Sequence, residues 1–367
     1  MIHGKLISPS NYRDCITVDV LVATLDPLGV GELLMDLPHL NNEGAVANIL
    51  EMAKAVSPSV DFVSKLSTFE AMAATRDLAM TASSLVRHGV SISVVPMLES
   101  SLLLLSQLTA EVPVDTVFSY TTRNPTSKFT RTFTNTTEEH LFIRNVRNAV
   151  VDLLLSLEAL ASAQDVSVFS PPYAVLLDTA RERFKGMVNA IGQVHRKITP
   201  EFFTTQLRPY FEPKEVDGKR YLSPGGAQMP ILLIDLILWG SDCEDSIYQR
   251  YWAENIAYQP LFLRQRGKSI MAQPSLMRHA LRAFERLKSS VTAEELEIFK
   301  RSVSSLEGML LILEKFRHQH LRVAEANMLI RPDGSVGSGG YDTEILELLI
   351  RKVREARELI ARLRSCL

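Results

Sequence analysis

The chain has 367 residues, 46% of them apolar, enough for two domains or one large helical one with a sizeable core. Glycine and proline, at 17 each, are too few for a disordered chain, and a net charge of -2 leaves no global basic field to hold nucleic acid. Cys15, Cys243 and Cys366 are widely spaced, form no CxxC pair and build no disulfide framework, which fits a reducing compartment.

The segment MIHGKLISPSNYRDC lacks an apolar signal core. The most apolar stretch, Met229 to Trp239, is short and contains Asp235, whereas a membrane span needs about 20 apolar residues. A cytoplasmic protein with no membrane partner is expected.

Apolar residues recur at three- and four-residue spacing along most of the chain, which predicts a mainly α fold. Helices are expected near 43–56, 67–88, 138–164, 172–196, 227–240, 275–288, 292–328 and 342–365. Thr136 to Glu139 and Thr292 to Glu295 read as capping boxes. Ser170-Pro171 and Thr199-Pro200 place proline at a first helical position. Between Thr116 and Thr137 lie nine threonines, which predict short strands or a long loop. This segment is the expected boundary between a smaller N-terminal helical domain, 1–137, and a larger helical domain, 138–367.

The stretch TPEFFTTQLRPYFEP sets Arg208 at a helix end beside Phe202 and Phe203. An arginine next to aromatic rings suits an amino-acid carboxylate with an indole, and an ordinary surface salt bridge is the plainer reading. Further on, Ser223-Pro224-Gly225-Gly226 is a turn without bulky side chains, where backbone can approach a flat ligand. The helix after it is apolar nearly all round, hence buried, and carries Asp235 in its middle. A buried carboxylate needs a partner: Arg317 is one candidate, and nearby backbone groups are the other.

The helix 292–328 carries the most chemistry. Its apolar stripe runs Leu306, Leu310, Leu313, Phe316, His320, Val323, Asn327, so His320 faces inward. His318, two residues back and roughly 200° round the helix, falls with Lys315, Arg322 and Glu325 on the wet face. An inward histidine is either a hydrogen-bonded core residue or a ligand, and neutral imidazole is a standard axial ligand of haem. Arg317 lies one turn before it, placed to grip a haem propionate or simply to snorkel from the stripe's edge. The stretch GSVGSGGYD, 334–342, is a glycine-rich connector that could bring the Ser338 hydroxyl over a pocket. It is neither a dinucleotide fingerprint nor a P-loop, and the chain has no GxSxG or HExxH.

In order, LRPYFEP, SPGGAQMPILLIDLILWGS, FRHQHLRVAEAN and GSGGYD resemble the haem and substrate segments of the indoleamine dioxygenase superfamily. With DPLGVGELLMDLPHLN and the NPT at 124–126, the likeness extends over nearly the whole chain to the monodechloroaminopyrrolnitrin synthases, a bacterial branch of that superfamily. The resemblance implies an indoleamine-dioxygenase-like helical fold, haem b as cofactor, and an indole amino acid and dioxygen as small-molecule partners, with room for an external electron donor. It implies His320 as the iron's proximal ligand and Arg317 with Asp235 as a propionate clamp. Arg208 would hold the substrate carboxylate, Phe203, Gly225, Gly226 and Ala227 would line the pocket, and Ser338 would act at the substrate. Met328 stands where the synthases have a tyrosine, and methionine has no hydroxyl to donate. Expected activities are therefore oxidative rearrangement of a tryptophan or chlorotryptophan in antibiotic biosynthesis, or opening of the indole ring. A haem sensor or carrier without turnover, or a helical interaction protein, stays open beside them.

Overall fold

The computed structural model describes residues 10–287, 291–330, 337 and 340–367. Among them the fold is mainly helical. Helices α1 (Tyr12–Thr24), α2 (Leu37–Glu43), α3 (Val46–Val56), α4 (Val60–Val63), α5 (Thr68–Arg87) and α6 (Pro96–Thr109) make up the first part. The long α7 (Thr137–Gln164) and α8 (Pro171–Lys197) follow, then short α9 (Pro200–Phe202), α10 (Ile231–Leu238), α11 (Ser246–Ile256), α12 (Leu261–Met271) and α13 (Leu276–Arg286). The chain ends in α14 (Ala293–Met328) and α15 (Thr343–Ser365).

Local chemistry fixes several starts. The Thr292–Glu295 capping box forms as expected, and two further boxes cap α1 (Asn11–Asp14) and α5 (Ser67–Glu70). Pro171 and Pro200 occupy first-turn positions, where the missing N–H costs nothing. The expected helix 43–56 begins only at Val46, as α3, because Gly44 caps the preceding α2, and the expected 227–240 begins only at Ile231, after a 3-10 turn at Gly226–Gln228.

Two apolar clusters form the core. In one, α8 packs on both α7 and α14, and α14 on α15, around α10, every residue of which is buried. The other gathers α3, α5 and α6 with Phe133, Phe202, Leu207, Tyr210 and Phe211. No described helix is long and apolar enough to cross a membrane.

The threonine-rich segment departs from the strand expectation. It holds a π-helical turn at Phe118–Thr122 and otherwise turns and loop. Side chains satisfy its backbone in place of a sheet. Asn124 donates to the carbonyls of Tyr120 and Arg131 and accepts from the Arg131 N–H. The buried Glu139 carboxylate accepts from the N–H groups of Phe133, Thr134 and Asn135 and from the hydroxyls of Tyr120 and Thr134. That is why Thr136 caps α7 without a full capping box: Glu139 is turned to the loop instead of back to the cap.

The strands that do form are Lys214–Val216 and Lys219–Tyr221, an antiparallel hairpin β1–β2. Its turn is Asp217-Gly218, both with positive φ (50° and 68°), the pairing that matches the twist of a two-residue hairpin.

Buried arginines tie the segments together. Arg123 reaches Asp19 and Glu111, while Arg76 and Arg131 share Asp77. We expect Glu139→Ala to destabilise by about 3 kcal/mol or more, because it strands several buried donors at once. Thr136→Ala, which removes a single cap bond, should cost about 1 kcal/mol. Denaturant unfolding of the two variants measures the ratio.

Candidate functional site

His320 sits where the stripe of α14 turns from core to cavity. Leu306, Leu310, Leu313 and Phe316 are buried, and His320, Val323, Asn327 and Met328 continue that face as cavity wall. His318 points the other way, half-exposed, with Nε2 3.0 Å from Arg354 and 3.7 Å from Glu314. The His320 ring stacks at 5.7 Å on Phe316, and its buried Nδ1 has no hydrogen-bond partner among the described residues. Burial, and secondarily the charge of Arg317, pull its pKa down to about 4, so the imidazole is neutral at neutral pH.

The Gly225–Gly226 turn stands against this ring. A Cβ on Gly226 would meet His320 Cε1 at 3.1 Å and Nε2 at 3.3 Å. Any larger residue there would press on the ring's Cε1–Nε2 edge and require it to shift.

Arg317 and Asp235 form the buried pair that the sequence suggested. Arg317 Nη2 donates to Asp235 Oδ2; the arginine is 2% exposed and the aspartate 0%. Burial pushes the Asp235 carboxyl up to about 6 in spite of the arginine's opposing pull. The arginine lines the cavity while Asp235 stands behind it, outside the lining. Arg317 Nε is buried and has no hydrogen-bond partner among the described residues.

The remaining wall brings the substrate candidates to the same place. Phe203 opens a π-helical turn, Phe203–Leu207, and Arg208 begins the 3-10 turn Arg208–Phe211. Arg208 is 6% exposed and lies 3.7 Å from Glu212. Phe203, Arg208, Gly225, Gly226 and Ala227 all line the one cavity of about 230 Å³ that also holds His320 and Arg317. Ser338 lies outside the described residues.

This chain matches the family model described as monodechloroaminopyrrolnitrin synthase PrnB over residues 26–365. It belongs to the PrnB family.

The donor set of this PrnB-family cavity fits haem. Among the described residues no group of three or more His, Cys, Asp and Glu side chains could hold a metal ion. A neutral imidazole that belongs to no such group suits a metal that brings its own ligands, as haem iron does. The buried, partly unsatisfied Arg317 beside it suits an acidic edge group.

Sequence reasoning missed several PrnB-family cavity residues. Tyr120 comes from the π turn, Phe142 and Val146 from α7, and Met187 and Ile191 from α8. Tyr251 arrives on α11, a helix the periodicity did not predict. Burial pushes its hydroxyl up to about 12. His195, exposed in the last turn of α8, also borders the cavity. Tyr341, at the described end of the glycine-rich stretch, lines it too, with its hydroxyl bonded to Glu254 and Asn255.

Two groups should oppose each other as the ligand-free protein is acidified. His320 stays neutral in the fold but takes a proton in the unfolded chain below about 6.5, so its contribution is lost as pH falls from there towards 4. Asp235 holds its proton more tightly in the fold, up to about 6, than in the unfolded chain, where its ordinary value is 3.8, so its contribution is present at low pH and lost as pH rises through about 6. His320→Leu should therefore flatten or invert the acid limb of the stability curve between pH 6.5 and 4. A limb identical to the wild type's would contradict the enclosure of this ring.

Proposed function

We propose that this chain is a haem-dependent oxidoreductase that rearranges tryptophan or a substituted tryptophan, such as a chlorotryptophan, in secondary-metabolite biosynthesis. The observation that carries the reading is one cavity lined at once by a neutral imidazole, a buried arginine paired with an aspartate behind it, and a second buried arginine beside aromatic rings. Membership of the PrnB family supports it.

In this reading His320 would hold the iron of haem b through a ring nitrogen that is unprotonated and available at neutral pH. Arg317, oriented by Asp235, takes a propionate through donors left over from the pair. When bound, haem supplies the activation of dioxygen, the chemistry no side chain can provide. The Arg208 guanidinium holds the substrate carboxylate, and Phe203, which packs at 5.7 Å on Phe142, flanks the indole. Gly225, Gly226 and Ala227 keep one side of the cavity flat, and Ser338 offers a hydroxyl to the substrate. The apolar walls from α7 and α8 exclude water around the ring. Dioxygen and an external electron donor complete the partners, nucleic acid is not among them, and the setting is cytoplasmic.

A second reading is favoured by Met328. It lines the cavity and brings a thioether where the synthases carry a tyrosine hydroxyl. Without that group, simple insertion of two oxygen atoms, opening the indole ring, is the alternative outcome.

Purified protein titrated with haem should develop a Soret band that shifts on addition of L-tryptophan. His320→Ala should abolish the band. Arg208→Ala should keep it and weaken the tryptophan response at least tenfold, the loss of roughly one charge-assisted hydrogen bond or more. Absence of haem binding by the wild-type protein would overturn the reading. Product mass separates the two activities: a gain of two oxygens marks ring opening, and a decarboxylated product marks rearrangement.

A further inference from the structure

Lys214, on β1, is 1% exposed, among the most deeply buried charges in the molecule. Four oxygens surround its ammonium: Asp115 Oδ1 at 2.9 Å, the Tyr210 carbonyl at 3.1 Å, the Glu212 carbonyl at 3.3 Å and Ser223 Oγ at 2.5 Å. Ser223 Oγ in turn donates to the Glu212 carbonyl at 2.7 Å.

A buried lysine is a costly way to hold a fold together, since an apolar side chain of like volume often does as well or better. What the lysine supplies is direction. Its partners come from three separate segments, and each segment carries cavity wall. Tyr210 and Glu212 belong to the turn that begins at Arg208. Ser223 precedes Gly225, Gly226 and Ala227. Asp115 precedes the π turn with Tyr120 and Thr121. The other side of the glycine turn is tied as well, by Gln228 Nε2 to the Ser223 carbonyl at 2.9 Å and Gln259 Nε2 to the Gln228 carbonyl at 2.7 Å. The turn is thus held from both ends, and Lys214 is its link to the Arg208 turn.

We infer that Lys214 is a positioning residue: its ammonium fixes the Arg208 turn against the Gly225–Gly226 turn and so sets where a substrate carboxylate lies relative to the substrate's ring. The inference deepens the proposed function and rests on Arg208 as the carboxylate anchor. Groups that orient a binding side chain without touching ligand act in this way at many sites.

The test uses the full-length, haem-loaded protein and two probes, L-tryptophan and indole, which lacks the carboxylate. Lys214→Met should weaken tryptophan binding at least tenfold and leave indole binding within twofold of wild type. Hydrogen exchange should rise selectively at residues 208–212 and 222–227. Should Lys214→Met fail to fold, the double variant Lys214→Met with Asp115→Leu removes both buried charges and is expected to give the same pattern. Equal loss for both probes, or exchange that rises uniformly along the chain, would reduce Lys214 to a packing residue and overturn the inference. Arg208→Ala separates the two claims. If it leaves tryptophan affinity intact, the carboxylate reading fails and takes this inference with it. If it lowers affinity while Lys214→Met does not, only the role of Lys214 falls.

Discussion

The proposed function depends on one uncharged imidazole held in a cavity wall. His320 is neutral because its ring is enclosed and because Arg317, one turn away on the same helix, makes a second positive charge unwelcome. Arg317 is tolerated there only because Asp235, deep in α10, compensates it. The three residues form one electrostatic unit: the carboxylate permits the cation, and the cation with burial keeps the imidazole neutral. A neutral nitrogen at a cavity wall can be a ligand, and a fixed cation next to it can meet an acid.

That unit was legible in the sequence because charged and titratable groups interrupt otherwise apolar patterns. His320 and Arg317 break the stripe of α14, and Asp235 breaks the most apolar helix of the chain. Periodicity also predicted α7, α8, α14 and α15, whose long amphipathic faces supply the cavity's frame. It failed where pattern and packing part company. Helix α1 contains Ile16, Thr17, Val18, Val20 and Val22, poor helix formers, and is held by its Asn11 cap and by contacts with α5 and α7. In α6 the four consecutive leucines Leu102–Leu105 mask the period. The Thr116–Thr137 segment looks like strands by composition, yet its hydroxyls bond back to its own turn, as Thr121 Oγ1 does to the Val117 carbonyl, and Glu139 gathers its donors.

The parts of the site that escaped the sequence are those whose role comes from tertiary meeting. Tyr120, Phe142 and Tyr251 are ordinary aromatic residues until three distant segments bring them to one cavity. Lys214, in KEVDGKR, has the look of a solvated charge on a hairpin. Only the fold reveals that its ammonium is enclosed by four oxygens behind the Arg208 turn. Membership of the PrnB family agrees with the order of segments that the sequence displayed.

The proposed function requires His320 to hold the haem iron. Resonance Raman spectroscopy of the reduced, haem-loaded protein addresses that bond itself. The account predicts an iron–histidine stretch in the wild type that vanishes in His320→Gly and returns when free imidazole is added to the variant. An unchanged iron–histidine stretch in His320→Gly would place the iron on another residue and contradict the account.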